Sequence, residues 1–347
     1  MDISKILIKW YRKNKRDLPW RHTRDPYKIW VSEIILQQTR VNQGISYYHS
    51  FLDNFPDIKS LAESSSDRIM RVWQGLGYYS RARNMHAAAK YIVKHYHGTF
   101  PEKYEDILKL KGVGKYTAAA ISSLAYNYSA AAVDSNVIRT ISRIFAIHND
   151  MRTVSGREKI DILAGSILDV NDPGEHNQAM IELGALICTP GNPKCELCPV
   201  NIFCKAFKGD IVHELPVKYV KKNIRVRFFY YYIITANNKV FIQKRTQNDI
   251  WNSLYEFPLY ESSYQIGEIE IVNILKTEWK LESENLVLQK ISPVISHVLS
   301  HQRINARFIH VCYKGKTECK EWETVSMENL NYYAFPVLLL NYIKRNL

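Results

Sequence analysis

Two carboxylic residues stand in unlike settings. Glu33 lies within Trp30-Val31-Ser32-Glu33-Ile34-Ile35-Leu36-Gln37-Gln38-Thr39. The spacing predicts a helix from Tyr27 to Val41, with Trp30, Ile34 and Val41 on one face and Val31 and Ile35 widening it. Glu33 falls at the edge of that face, where apolar packing pushes a carboxyl toward its neutral form. For this helix alone, a solvated surface glutamate is the simpler reading. Asp134 lies in Val133-Asp134-Ser135-Asn136 and reads as the N-cap of a helix holding Val137, Ile138, Ile141 and Phe145. The positive end of a helix keeps a carboxylate ionised, so capping and chemistry are compatible there.

Sulfur forms the third group. Cys188, Cys195, Cys198 and Cys204 are separated by six, two and five residues. Four thiolates in one compact loop can close around a metal centre, either Zn²⁺ or a [4Fe–4S] cluster. Zinc sites usually pair two short C-x-x-C knuckles, and one short pair occurs here, so the spacing leans to iron–sulfur. Pro190, Pro193 and Pro199 suit a rigid ligand loop. The remaining cysteines, Cys312 and Cys319, have no metal spacing and read as structural.

These groups need elements to hold them. Residues 1–208 read as mostly helical. Leu110-Lys111-Gly112-Val113-Gly114-Lys115-Tyr116 is a turn between two helix-like segments. Gly112 and Gly114 permit positive φ and close backbone approach, and the following helix offers free N–H groups to a phosphate. A plain glycine turn is the bland alternative. Asp17-Leu18-Pro19-Trp20-Arg21 is a turn with an aromatic and a cation. Gln37-Gln38-Thr39-Arg40, expected on the Glu33 helix, can meet base edges and phosphates. Gly75-Leu76-Gly77-Tyr78-Tyr79-Ser80-Arg81 interleaves rings and cations, as either a base wedge or a helix-linking loop.

Residues 209–223 read as a charged linker through Lys218, Lys221 and Lys222. Residues 224–347 read as α+β. Strands are expected at Arg225 to Thr235, Lys239 to Arg245 and Ile304 to Tyr313, and helices near Ile271 to Trp279 and Pro336 to Ile343. The 347 residues carry 47 Lys and Arg against 34 Asp and Glu, a net charge of +13. That excess favours a polyanion, most simply nucleic acid, although a merely basic soluble protein fits charge alone. No apolar run approaches the roughly 20 residues of a membrane span, and the N-terminus does not read as a signal peptide. The expected compartment is the cytoplasm, with the chain drawn to the nucleoid by DNA binding, as a monomer.

Together the Glu33 segment, the Gly112-Val113-Gly114 hairpin, the Asp134 segment and the four-cysteine loop resemble the helix-hairpin-helix DNA glycosylase superfamily, and within it the adenine-specific branch. The resemblance covers nearly the whole chain. It implies an α-helical glycosylase domain with a [4Fe–4S] loop, followed by a Nudix-like domain that recognises 8-oxoguanine. The implied reaction is hydrolytic removal of adenine mispaired with 8-oxoguanine, or with guanine, in base excision repair. Glu33 would protonate the adenine, Asp134 would stabilise the sugar cation, and Tyr116 and Asn136 would position Asp134 and the sugar.

By the same resemblance, Gly112, Val113, Gly114 and Lys115 would hold a phosphate. Gln38 and Thr39 would meet the mispair, Tyr78 would wedge into the duplex beside Leu76 and Arg81, and Trp20 and Arg21 would line the pocket or the lesion side. The endonuclease III branch shares the hairpin and cluster but carries a lysine nucleophile two residues after the second glycine. Tyr116 stands at that place, and a phenol cannot form a Schiff base, so a monofunctional enzyme without strong lyase activity is implied. The family's Phe-Ser-His loop appears as Leu299-Ser300-His301. No Arg-Glu-x-x-Glu-Glu metal motif occurs in residues 225–347, which implies recognition without pyrophosphate hydrolysis. A bifunctional lyase and a non-catalytic damage-binding protein are the competing readings. The presence of both Glu33 and Asp134 weighs against the second.

Overall fold

The computed structural model describes residues 2–217, 224–315 and 322–347. Cys319 and Lys218, Lys221 and Lys222 of the expected linker lie outside them. The chain divides into two compact units, Met1–Glu63 with Asn84–Val220, and Ser64–Arg83 with Lys221–Leu347. A division by sequence alone at 208 and 224 leaves Ser64–Arg83 in the first domain. Its contacts group it with the second unit, and Arg83 Nη1 donates to Asn252 O at 2.7 Å.

The first unit is helical. Asp25 caps the Pro26–Leu36 helix by accepting from Tyr27 N, and Pro26 at its first turn needs no N–H partner. This helix is buried nearly all round, from Tyr27 through Ile35, with Glu33 among the buried residues. The expected extension to Val41 does not occur. Gln38 takes φ +58°, which stops the helix at Leu36, and Val41 opens the next helix, Val41–Asn54. Gln37 to Arg40 therefore form a turn, not a continuation of the helix.

The glycine hairpin joins helices Tyr104–Leu108 and Lys115–Tyr126. Gly112 takes φ +84°, and a Cβ there would stand 2.7 Å from Asn84 Cβ, so only glycine fits without displacement. Gly114 differs from expectation: its backbone is extended at φ −98°, and a Cβ there would meet open space. Ala118, Ala119, Ala120 and Ile121 bury the following helix against its neighbours. Helices Ser135–Phe145 and Pro173–Leu186 pack together over Val137, Ile141, Ile144, Met180 and Leu183. Residues 209–217, expected as linker, instead dock on the Lys205–Lys208 helix, with Val212 and Leu215 buried beside Ala206.

A buried ion cluster ties the N-terminal turn to the Pro173–Leu186 helix. Glu182, fully inaccessible, receives Arg16 Nη2 at 2.6 Å and Arg21 Nη2 at 2.8 Å. Burial works to raise its pKa, but the hydrogen bonds from Arg21 and Arg16 outweigh it and hold the carboxyl down at about 2. A carboxylate held low adds stability above the unfolded value of 4.5, and that stability is lost as pH falls toward 2. Arg21→Met is expected to cost about 3 kcal/mol, because it strips one partner from a buried charge. Urea denaturation at pH 7 measures this, and a loss below about 1 kcal/mol would show that Arg16 alone suffices.

The second unit is built on an eight-stranded mixed sheet. Its strands are β1 (Arg225–Ala236), β2 (Lys239–Lys244), β3 (Tyr255–Glu256), β4 (Leu259–Ser262), β5 (Leu286–Ile291), β6 (Ile295–Val298), β7 (Gln302–Tyr313) and β8 (Glu323–Ser326). The order β3-β2-β1-β7-β5 forms the main path, with β4 on β1, β6 on β7 and β8 on β2. β1 and β7 pair in parallel from Arg225 with Gln302 to Thr235 with Cys312. The two-residue period of β1 splits its apolar run between two faces. Phe229, Tyr231 and Ile233 pack toward the Val337–Asn346 helix, while Tyr230, Tyr232 and Ile234 pack toward the Glu268–Thr277 helix. Among the described residues no helix is long and apolar enough to cross a membrane.

Candidate active site

Glu33, Tyr116, Asp134 and Asn136 come from three helix ends or faces and meet in the first unit. Glu33 is only 7% exposed. Burial pushes its carboxyl up to about 7, the Asp134 charge pushes the same way, and a hydrogen bond with Tyr116 opposes both. The Tyr116 phenol is itself held well above its ordinary value, first by burial and then by the charges of Glu33 and Asp134. It therefore stays protonated and donates to Glu33. Lys115, the neighbouring amine, stands exposed on another side of the helix.

Asp134 is held at the N-terminus of the Ser135–Phe145 helix. Its Oδ1 accepts from Val137 N at 2.8 Å and its Oδ2 from Asn136 Nδ2 at 2.7 Å. Burial raises its pKa, against the Val137 and Asn136 hydrogen bonds and the Arg139 charge, and burial prevails. Capping alone thus does not hold Asp134 at an ordinary carboxylate value, as the sequence suggested. The two carboxyls are still unequal, because only Asp134 has two fixed donors that favour its anion.

Three residues that sequence reasoning missed hold this constellation. Arg139 donates to Asn136 Oδ1 at 2.9 Å, to Gly184 O at 2.8 Å and, through Nε, to Cys188 O at 2.7 Å. Gly184 must lack a side chain, since a Cβ there would lie 2.6 Å from Asn136 Cβ. Asn177 braces the chain entering Asp134. Its amide donates to Ala130 O at 2.8 Å and Ser123 Oγ at 3.0 Å and accepts from Ala132 N at 2.9 Å. The only sequence signal was a polar residue inside an otherwise apolar helix face. Arg139→Gln is expected to slow the chemical step about 10²-fold by loosening Asn136 and Asp134, with duplex affinity retained. Single-turnover rates at saturating duplex test this, and an unchanged rate would make Arg139 a packing residue.

The four cysteines line one small cavity of about 20 Å³ together with Thr140, Arg143 and Val200. Arg143 Nη1 lies 3.3 Å from Cys188 Sγ and 2.8 Å from Thr189 O, and its Nε donates to Leu215 O at 2.9 Å. Among the described residues, no three His, Cys, Asp or Glu side chains close tightly enough to hold a single ion. Four cysteine sulfurs around one cavity fit a thiol-ligated metal centre by the chemistry of the donor set.

Comparison with known proteins decides the family. Residues 31–161 match the HhH-GPD superfamily of base excision DNA repair proteins, and residues 229–345 match the NUDIX domain. An adenine DNA glycosylase of Buchnera aphidicola subsp. Acyrthosiphon pisum is 37% identical over 260 residues, 75% of this chain and 74% of its own. That of Buchnera aphidicola subsp. Schizaphis graminum is 35% identical over 299 residues, 86% of this chain and 85% of its own. A thermostable thymine-DNA glycosylase of known structure is 29% identical with a TM-score of 0.55, covering 59% of this chain and 95% of its own. The chain belongs to the adenine DNA glycosylase family. It is a DNA N-glycosylase with an HhH-GPD unit and a NUDIX-type unit.

Within this adenine DNA glycosylase architecture, the residues expected to contact DNA are placed unevenly. Gly112, Gly114 and Lys115 are exposed at the hairpin. Val113 is not: its side chain is buried and its N–H is used by Leu110 O at 3.0 Å. Gln38 is exposed in its left-handed turn, with Thr39 half-buried beside it. Trp20 is buried and the Arg21 side chain is 6% exposed, and they line a pocket of about 330 Å³ with Ser123 and Gln178. Arg21 spends its guanidinium on Glu182 and on Gln178 Oε1 at 3.1 Å, so it is no free phosphate ligand.

The Gly75–Arg81 loop belongs to the second unit. Gly75, Gly77 and Tyr78 all take positive φ, and Tyr78 is 42% exposed. Leu76 and Arg81 are buried. Arg81 Nη2 donates to Gly77 O at 3.1 Å and its guanidinium lies over the Trp73 ring, so it shapes the loop that carries Tyr78. Leu299, Ser300 and His301 connect β6 to β7, closed by Leu299 N to Gln302 O at 2.8 Å. This loop and Leu76, Tyr78, Trp251 and His297 line one pocket of about 500 Å³.

Proposed function

We propose that this glycosylase excises adenine mispaired with 8-oxoguanine, or with guanine, by hydrolysis in base excision repair. The observation that carries the reading is Glu33 buried beside Tyr116 and Asp134, with its proton retained near neutrality. The target nucleotide leaves the stack to reach this buried site. Glu33 gives its proton to adenine N7, and the C1′–N9 bond breaks with its electron pair going to the base. The sugar becomes an oxocarbenium ion, which the Asp134 carboxylate faces and stabilises. Water then adds to C1′, and Glu33 takes back the proton, leaving free adenine and an abasic site. Tyr116 keeps Glu33 oriented, and Asn136 keeps Asp134 in place.

Tyr116 cannot form a Schiff base, and Lys115 points away from the carboxylates, so the enzyme is read as monofunctional. The exposed Gly112 and Gly114 amides with Lys115 are read as the phosphate grip, Gln38 and Thr39 as contacts to the mispair, and Tyr78 as the wedge. The 500 Å³ pocket beside Ser300 and His301 suits the opposite, damaged base. Cys188, Cys195, Cys198 and Cys204 would hold a [4Fe–4S] cluster, which on binding supplies order to the loop and not redox chemistry for base release. The chain is read as a monomer that works on double-stranded DNA in the cytoplasm, at the nucleoid.

The test is single-turnover base release from a duplex bearing one adenine opposite 8-oxoguanine, with and without alkali. Strand cleavage that depends on alkali supports the proposal. Cleavage at an oxidised pyrimidine, or trapping of the unmodified protein by borohydride, would point to a bifunctional lyase. Tight binding without release from either duplex would leave a damage-binding protein.

A further inference from the structure

The Ser135–Phe145 helix carries a polar atom that the reading above does not use. Thr140 is 1% exposed, and its hydroxyl is buried with no hydrogen-bond partner among the described residues. A threonine inside a helix ordinarily satisfies its hydroxyl on the carbonyl one turn back. A buried polar group left without a partner costs about 1–3 kcal/mol, so it calls for a cause. Thr140 also lines the cavity shared by Cys188, Cys195, Cys198 and Cys204. Arg143 stands three residues on, on the same helix face, with its guanidinium 3.3 Å from Cys188 Sγ.

We propose that the Thr140 hydroxyl donates a hydrogen bond to a sulfur of the [4Fe–4S] cluster and thereby sets its reduction potential. The inference rests on the cluster assigned above. It concerns a neutral donor on the helix that Asp134 caps, beside the charged donor of Arg143. Sulfur in such a cluster is an anionic acceptor with no hydrogen of its own, so it suits an O–H that no protein acceptor claims. A donor to sulfur stabilises the form carrying more negative charge, which is the reduced one. Thr140 therefore raises the potential and makes the cluster harder to oxidise.

The test uses the full chain purified anaerobically with its cluster, bound to duplex DNA. Thr140→Val keeps the shape and removes the donor, Thr140→Ala removes it without added bulk, and Thr140→Ser keeps it. Potentiometric titration is expected to give a lower midpoint for the Val and Ala variants and a wild-type midpoint for Ser. Under ferricyanide the visible absorbance of the Val and Ala variants should bleach several-fold faster. An unchanged midpoint and bleaching rate in cluster-loaded Thr140→Val and Thr140→Ala would overturn the inference and leave the cluster assignment standing. A chain that purifies without iron and sulfide would overturn both.

Discussion

Asp134→Asn is expected to abolish adenine release, with a fall of roughly 10³-fold or more in the single-turnover rate. In the proposed reaction the carboxylate faces the position where positive charge develops, and an amide supplies no charge. The replacement is nearly isosteric, and an amide oxygen can still accept from Val137 N, so the helix cap survives. With that oxygen on Val137, Asn136 Nδ2 would face an NH₂ group, which costs local order but not the fold. Duplex binding should persist, because the hairpin and the loop proposed as the wedge lie on other elements. Measured turnover within about tenfold of wild type would remove Asp134 from the chemistry.

Glu33→Gln has the second large effect and a signature of its own. Loss of the general acid is expected to slow release about 10²–10⁴-fold. In the wild type the rate should fall as pH rises through about 7, where Glu33 loses its proton. Stability gives an independent readout with a definite sign. The folded-state value is raised from 4.5 to about 7, so the wild type is penalised as pH rises between them. Relative to wild type, Glu33→Gln should gain stability from pH 5 to pH 8, on the order of 2–3 kcal/mol in all. Denaturation curves at the two pH values test this. A constant difference across that range would mean that Glu33 is ionised throughout and cannot be the acid.

The parts of the site that sequence showed were those encoded by short segments. Glu33, Tyr116, Asp134 and Asn136 each sit in a motif whose neighbours are informative, and four cysteines within one loop are a local pattern. In the second unit β1, β2, β7 and both α-helices followed from their periodicity, to within a few residues at their ends, whereas the shorter strands β3, β4, β5, β6 and β8 were not marked. The failures have a common physical cause, since burial is set by tertiary contact. Arg81, placed beside the expected wedge, is buried on loop carbonyls, and the Arg21 side chain is committed to Glu182. Arg139, Gly184 and Asn177 act across dozens of residues, so nothing beside them in the chain marks their role. The end of the Glu33 helix at Leu36 was missed because the left-handed residue is Gln38, a type that seldom takes positive φ.

The parallel pairing of β1 with β7 bears on how the chain is made. β1 is the hydrophobic run Phe228-Phe229-Tyr230-Tyr231-Tyr232-Ile233-Ile234, and its longest ladder is with a strand that begins only at Gln302. On the ribosome, β2 and β4 can reach β1 early, but one whole edge of it stays open until Tyr313 has emerged. Such non-local pairing is slow to form, and an open aromatic strand is a site for self-association. The nascent second unit thus passes through an interval in which its most adhesive segment is finished and its partner is not. A holdase that covers an extended strand protects that interval, and a chain ending before Gln302 never leaves it.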